Sequence, residues 1–261
     1  MNGPLLWVKD GARDPKANMA LDEALLAGDG AWLRTYRWVP HAISLGYFQK
    51  PEDFADLPAD LPRVHRITGG GAILHANEVT VALALPESLL PGPVADSYAL
   101  LNDAVVRAVA EHGAAIHRAP PRPRSDSRWC FAAPTHLDLM DTDGHKVFGS
   151  AQRRRGGRIL WHGSLILARH ELTAFTGHLP GILADSLAPS LARELAATLG
   201  LELRRANAPA FSRPTKSLPL VEIEKHLAAG AIESAAEDAG AVAVENEEIV
   251  ASDTEAARPG E

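Results

Sequence analysis

Apolar positions recur along this chain in two periods, and the switches between them predict its elements. Asp14-Pro15 reads as an N-cap followed by proline in the first helical turn. A helix then runs through Asn18–Leu26 and stops near Gly28. From Ala31 to Trp38 the period changes to two: Trp32, Arg34, Tyr36 and Trp38 alternate with Leu33, Thr35 and Arg37, the pattern of a strand. Pro40-His41 turns the chain, and Ile43–Tyr47 is expected as the strand that pairs with it. Leu57–Pro62 is a proline-punctuated loop. Val64–Ile67 is a short strand, then come three glycines and Ala72–His75. Val79–Leu85 is an apolar strand that Pro86 ends.

Helical spacing returns from Asp96 to His112, with Tyr98, Leu101, Val105 and Val109 on one face and Gly113 as the stop. Ala119–Ser127 is a Pro/Arg-rich loop without periodicity. Leu137–Met140, Lys146–Gln152 and Ile159–Leu167 read as a three-stranded meander, turned at Asp143-Gly144 and Gly156-Gly157. A last helix runs from Leu183 to Leu199 and ends at Gly200. Beyond Asn207 the signal decays. Phe211–Pro219 is proline-broken, Ile223–Leu227 could form a short helix, and from Gly230 the chain is Ala/Glu-rich and is expected to be disordered. Strands and helices in this order predict an α/β domain over residues 1–206, a mixed β-sheet with flanking helices, and an acidic tail over 207–261.

Charge is spread unevenly. From Val221 to Glu261 there are 11 acidic residues against Lys225 and Arg258, a net of −9 within the −7 of the whole, so the rest carries about +2. That balance does not suggest general nucleic-acid binding. No apolar run reaches the roughly 18 residues of a membrane helix, and the N-terminus lacks the pattern of a signal peptide. The one cysteine among 261 residues cannot form an internal disulfide, and no Cys/His cluster has zinc-site spacing. We expect a cytoplasmic protein with no membrane or nucleic-acid partner and no metal.

Two stretches concentrate the chemistry. Gly69-Gly70-Gly71 follows a strand, a position suited to close backbone approach or positive φ, where free N–H groups can cradle an anion or carbonyl oxygen. An ordinary glycine hairpin is the plain alternative; Arg66 before it and His75 after it favour a ligand loop. The pattern fits neither dinucleotide nor P-loop fingerprints. The second stretch runs from Trp129 to Ser164. A lone cytosolic cysteine is most often an inert small hydrophobe. Cys130, however, follows Arg122, Arg124 and Arg128, and Lys146 lies across the hairpin. A nearby ammonium stabilises a thiolate, and the two together suit acyl transfer, as nucleophile and proton shuttle. Arg153, Arg154, Arg155 and Arg158 with the earlier arginines form either a solvated turn or a basic rim for an acidic partner.

Residues 18–203 resemble the biotin/lipoate protein ligase superfamily, and more closely its cysteine-dependent octanoyltransferases of lipoate synthesis. Asn18–Glu23 resembles the family's first helix. Trp38 with Ser44–Gln49 resembles its early hairpin, and Arg66–His75 its lipoyl-binding loop. Cys130-Phe131 with Pro134, Lys146-Val147, Gly149–Gln152 and His162-Gly163-Ser164 resemble its catalytic segment. Each motif is short; their order and spacing make the match specific. The resemblance implies the class II synthetase-like catalytic fold. It implies Cys130 as carrier of the acyl group and Lys146 as the amine that favours the thiolate and contacts the acyl carbonyl. Arg66, Gly69, Gly70, Gly71, His75, Gly149, Ser150, Ala151, His162 and Gly163 become substrate-binding positions. Partners would be octanoyl-acyl carrier protein and lipoyl-domain proteins, the glycine cleavage H protein or a 2-oxoacid dehydrogenase E2. No cofactor is needed, because thioester to thioester is nearly neutral and thioester to amide runs downhill.

Three rival activities stay open. An ATP-dependent lipoate–protein ligase would use Lys146 on an acyl-adenylate; Gly71, often arginine in the cysteine branch, favours it, and Cys130 opposes it. Octanoyl amidotransfer between lipoyl-domain proteins would use the same cysteine. A binding module without turnover would leave Cys130, Lys146 and the glycine loop without a purpose.

Overall fold

The computed structural model describes residues 3–121 and 125–208. The expectations for Arg122 and Arg124, for the helix at Ile223–Leu227 and for the acidic tail beyond residue 208 lie outside them. Eleven strands and three helices make an α/β fold among the described residues. One sheet of eight strands runs in the order β11 (Leu203–Arg205), β1 (Leu5–Arg13), β2 (Ala31–Trp38), β6 (Glu78–Pro86), β10 (Arg158–Ile166), β9 (Lys146–Arg155), β8 (Leu139–Met140), β7 (His117–Arg118). A smaller sheet is ordered β4 (Arg63–His65), β3 (Ala42–Leu45), β5 (Ile73–His75). The large sheet is mixed: β1 pairs parallel with β2 and β11, and the pairs among β2, β6, β10, β9 and β8 are antiparallel.

The period-two pattern of β6 explains the layering. Val79, Val81, Leu83 and Leu85 point to one face, where α2 (Val94–Ala110) and α3 (Ala184–Leu199) close the main core with Leu101, Val105, Leu191 and Leu195. Thr80, Ala82 and Ala84 point to the other face, towards α1 (Pro15–Ala27) and the small sheet. Large side chains thus fill one side of the strand. Small ones leave room on the other, and that is where the cavity lies.

Local signals account for the helix ends. The Asp14 carboxylate accepts from Lys16 N at 2.9 Å and Ala17 N at 3.3 Å, with Pro15 in the first turn. Gly200 ends α3 in the left-handed region at φ 64°. Pro189 lies inside α3 and has no N–H for the Asp185 carbonyl; Lys9 Nζ donates to that carbonyl instead at 3.3 Å. Gly156 and Gly157, at φ 59° and 71°, form the two-residue hairpin between β9 and β10.

One pairing differs from expectation. β3 does not pair with β2: both edges of β2 are taken, by β1 and β6, and β3 joins β4 in parallel and β5 in antiparallel fashion. β1 itself was not anticipated. A strand paired on both sides within a covered sheet reads as an apolar run, here Leu5–Val8, rather than as an alternation.

Candidate active site

The glycine loop joins β4 to β5, and the segment carrying Cys130 lies directly against it. Ala72 N donates to the Arg128 carbonyl at 2.8 Å, and Cys130 N donates to the Ala72 carbonyl at 2.9 Å. This approach requires Gly71: a Cβ there would stand 2.7 Å from Cys130 N and 3.0 Å from the Arg128 carbonyl oxygen. Gly70 takes φ 94°, and a Cβ on Gly46 would collide with its carbonyl. The loop is held from below by Arg66. Its Nη1 donates to the Ser44 carbonyl at 3.0 Å and to Ser44 Oγ at 3.2 Å, and its Nη2 to the Gly69 and Gly71 carbonyls, each at 2.8 Å. Among the described residues no carboxylate pairs with Arg66, and its Nε has no partner. Burial pulls its guanidinium below the usual arginine range.

Cys130 and Lys146 meet. Lys146 Nζ donates to Cys130 Sγ at 3.2 Å and to the Cys130 carbonyl at 3.0 Å, and it pairs with Asp138 Oδ2 at 2.9 Å. The three donors of one ammonium thus face three acceptors. The amine reaches this position because Gly149 has no side chain; a Cβ there would stand 2.6 Å from Lys146 Cε and 2.9 Å from Nζ. Burial alone would lower the Lys146 pKa, but the Asp138 carboxylate and Cys130 outweigh it and hold the amine above the ordinary lysine value. Asp138 is fixed in turn by Thr135, whose N donates to Oδ2 at 2.7 Å and Oγ1 at 3.1 Å. Sequence reasoning missed Asp138. The signal was present: it is an acidic residue leading into the strand opposite Lys146 in the same hairpin.

The two histidines are anchored rather than free. His75 bonds Glu78 Oε1 through Nδ1 at 2.6 Å and Ser44 Oγ through Nε2 at 2.8 Å, and it stacks on Trp38 at 3.8 Å. His162 bonds Asp22 Oδ2 through Nδ1 at 3.2 Å and Thr68 Oγ1 through Nε2 at 2.6 Å. Each carboxylate accepts, so Nδ1 donates to it, and the other ring nitrogen meets a hydroxyl. Asp22 also takes Arg34 Nη1 at 3.0 Å and the Tyr36 hydroxyl at 2.7 Å, so it serves α1, β2 and β10 at once. Glu78 and Asp22 were not singled out from sequence.

These groups surround one small cavity of about 50 Å³. Arg66, Gly69, Gly70, His75, Cys130, Gly149, Ser150, Ala151, His162 and Gly163 line it, together with Met19, Tyr36 and Trp38. Two anticipated positions stand behind the wall: Gly71 supports the Cys130 segment, and Lys146 is buried beneath Cys130. The cavity is lined from β9, β10, β6 and β2, four neighbouring strands of the large sheet. Its far end carries the Tyr36 and Trp38 rings.

The arginine rim, one of the two readings of these residues, is not continuous among the described residues. Arg154 pairs with Glu87 at 2.9 Å, and Arg158 donates to the Leu25 and Leu26 carbonyls at the end of α1. Arg128 pairs with Asp56, and Arg153 donates to the Ile67 carbonyl and lies over the Tyr47 ring. Most of these guanidinium groups close loops and helix ends instead of facing outward.

Comparison with known proteins shows the family and the fold. Residues 14–202 match the family described as lipoyl protein ligase A/B catalytic domain. A curated relative from Exiguobacterium sp., "Octanoyltransferase LipM", is 40% identical over 180 residues, 62% of this chain and 65% of the relative. One of the same name from Moorella thermoacetica is 40% identical over 172 residues, 60% of this chain and 63% of the relative. The chain thus matches a little under two thirds of the length of these relatives. Among solved structures, "lipoate-protein ligase A bound with ATP" superposes with a TM-score of 0.66 at 21% identity, covering 80% of this chain and 90% of that one. The lipoic-acid-bound Ta0514 protein of T. acidophilum gives 0.64 at 22% identity, with the same coverage. These structures share the fold.

Proposed function

The chain belongs to the lipoyl protein ligase A/B catalytic-domain family, and from that premise we propose that it is an octanoyltransferase working through a thioester on Cys130. The observation that carries the reading is the 3.2 Å contact between Lys146 Nζ and Cys130 Sγ at the wall of the cavity, with Asp138 behind it. A fixed ammonium favours a thiolate nucleophile. The relatives named octanoyltransferase, 40% identical, support the same reaction class.

The Cys130 thiolate attacks the carbonyl of octanoyl-acyl carrier protein. A C–S bond forms, the C–S bond to the carrier breaks, and the carrier thiolate leaves and takes a proton from solvent. The octanoyl tail lies along the cavity towards Tyr36 and Trp38. Backbone N–H groups of the Gly69–Gly71 or Gly149–Ala151 segments face the developing oxyanion. A lipoyl-domain lysine, as free amine, then attacks the thioester. The C–N bond forms, Cys130 leaves as the thiolate that Lys146 stabilises, and the amine's proton passes to solvent. Lys146 works in this scheme as a fixed charge rather than as the expected proton shuttle, because Asp138 keeps it protonated. The scheme uses no ATP and no metal.

Gly71 has a use in the octanoyltransferase reading as well as in the ATP-dependent one. Its lack of a side chain is explained by the approach of Cys130 N. Octanoyl amidotransfer from another lipoyl-domain protein differs only in the donor and uses the same residues.

The test is an intact mass taken after mixing the chain with octanoyl-acyl carrier protein without ATP. One octanoyl adduct, labile to hydroxylamine and lost in Cys130→Ala, is expected. Transfer that needs octanoate and ATP and survives Cys130→Ala would overturn the reading. An adduct that forms only from an octanoylated lipoyl domain would move the donor to amidotransfer.

A further inference from the structure

The segment that carries Cys130 is gripped by a residue with no role so far. Gln49 ends the turn after β3, where its backbone N donates to the Gly46 carbonyl at 2.9 Å. Its side chain faces two backbone groups from different parts of the chain. Oε1 accepts from Gly46 N at 3.0 Å, and Nε2 donates to the Arg128 carbonyl at 2.8 Å. An N–H on one side and a C=O on the other leave the amide one orientation. The Gln49 carbonyl bonds His65 Nε2 at 2.8 Å, so the turn is also tied to β4.

The Arg128 carbonyl therefore takes two donors, Gln49 Nε2 and Ala72 N, one for each lone pair. They come from the turn after β3 and from the end of the glycine loop. Two residues on, Cys130 is held by its N on Ala72 and by its carbonyl on Lys146. The cysteine thus hangs between two anchors, Arg128 on one side and Lys146 on the other.

We propose that Gln49 is a positioning residue: its amide fixes the Arg128 carbonyl and so sets where Cys130 Sγ stands against Lys146 and the glycine loop. The inference takes from the octanoyl-transfer reading only the role of Cys130. Gln49 touches no reacting atom. It acts through the backbone, and a carboxylate in its place would oppose the Arg128 carbonyl instead of donating to it.

Alkylation of Cys130 by iodoacetamide in the full-length chain reads this directly and does not depend on any octanoyl donor. The quantity to follow is the ratio of variant to wild-type rate across pH, with thermal melting alongside. Gln49→Met, similar in length and without donor or acceptor, should lower that ratio about fivefold at every pH, the effect of one lost hydrogen bond of about 1 kcal/mol. Gln49→Glu should match wild type at low pH, where its protonated carboxyl donates to the Arg128 carbonyl, and fall as the carboxylate forms. A purely structural role would lower the melting temperature and leave the alkylation ratio of Gln49→Met near one, a comparison free of the field that a new carboxylate adds in Gln49→Glu. In octanoyl transfer, kcat should fall with the KM for the donor unchanged. A flat ratio near one for Gln49→Glu overturns the inference, even if Gln49→Met does not fold. If wild type takes no octanoyl but Gln49→Glu still shows the step, the transfer reading fails and the positioning role stands.

Discussion

The Asp138 carboxylate lies 2.9 Å from the Lys146 ammonium, and their side chains are only 7% and 2% exposed. Removing one member leaves the other buried and unpaired, which typically costs about 3–5 kcal/mol. Asp138→Leu and Lys146→Met should each melt well below wild type. The double variant, with neither charge, should recover most of that stability, since replacing a buried pair by apolar groups is often neutral. It should still form no acyl-enzyme. Thermal melts and octanoyl-adduct mass on the four proteins check this. Equal loss of stability in the double variant would mean that the pair does not interact as described.

Two glycines near the site should respond differently to alanine. At Gly149 the obstacle is the far end of a flexible side chain, Lys146 Cε and Nζ; at Gly71 it is backbone, Cys130 N and the Arg128 carbonyl. Gly149→Ala should keep its fold, displace the amine from Sγ and cut acylation of Cys130 by about 100-fold, as a misplacement on the order of 1 Å does. Gly71→Ala should destabilise as well, by about 1–3 kcal/mol, the usual cost of overpacking. Urea unfolding beside acyl-enzyme formation separates the two.

Acid stability has an identifiable contributor away from the cavity. Burial opposes ionisation of Asp10, but Arg13 and Arg34 outweigh it and hold its carboxyl below the ordinary 3.8. Between the two values the unfolded chain binds the proton and the folded chain does not. The contribution is therefore complete above 3.8 and disappears as pH falls through the lowered value. Asp10→Asn should lose stability at neutral pH and show a shallower decline towards about pH 3, read as urea midpoints. An unchanged slope would contradict the assignment.

On the alkaline side the direction reverses. Lys146 titrates above the ordinary 10.5, so its stabilising charge is fully present below that value and is lost only as pH rises through the higher folded one. Any fall in octanoyl transfer at lower pH should persist unchanged in slope when Lys146 is replaced by arginine. Transfer rates across the alkaline range for both proteins test it.

Legibility in the sequence followed the kind of force involved. Strands and helices with clean periods, such as Ala31–Trp38 and the helix ending at Gly200, emerged with nearly their observed bounds. The meander that brings Lys146 near Cys130 was readable because its turns are local and glycine-marked. Pairing partners were not: which strand takes β3 depends on both edges of β2 being occupied by strands distant in sequence. Of the buried polar groups, sequence singled out the histidines by motif but not the carboxylates that orient them. Glu78 heads an apolar strand, and Asp22 sits in a helix, and neither position announces a partner 3 or 140 residues away. Gln49 was visible only as part of a motif, since the contact that matters, the Arg128 carbonyl, lies 79 residues away.

Arg66 is the buried cation of this site that lacks a counter-charge at hand. Lys146 has Asp138 and Arg34 has Asp10 and Asp22, while the Arg66 guanidinium meets only carbonyl and hydroxyl oxygens. Its nearest acid in the network is Glu78, reached only through Ser44 Oγ and His75, so a thiolate on Cys130, if it works as proposed, is a more direct counter-charge. On the proposed transfer, acylation of Cys130 would remove that thiolate and leave the Arg66 guanidinium facing an uncharged group, so an acceptor lysine would meet less repulsion as the free amine than as ammonium.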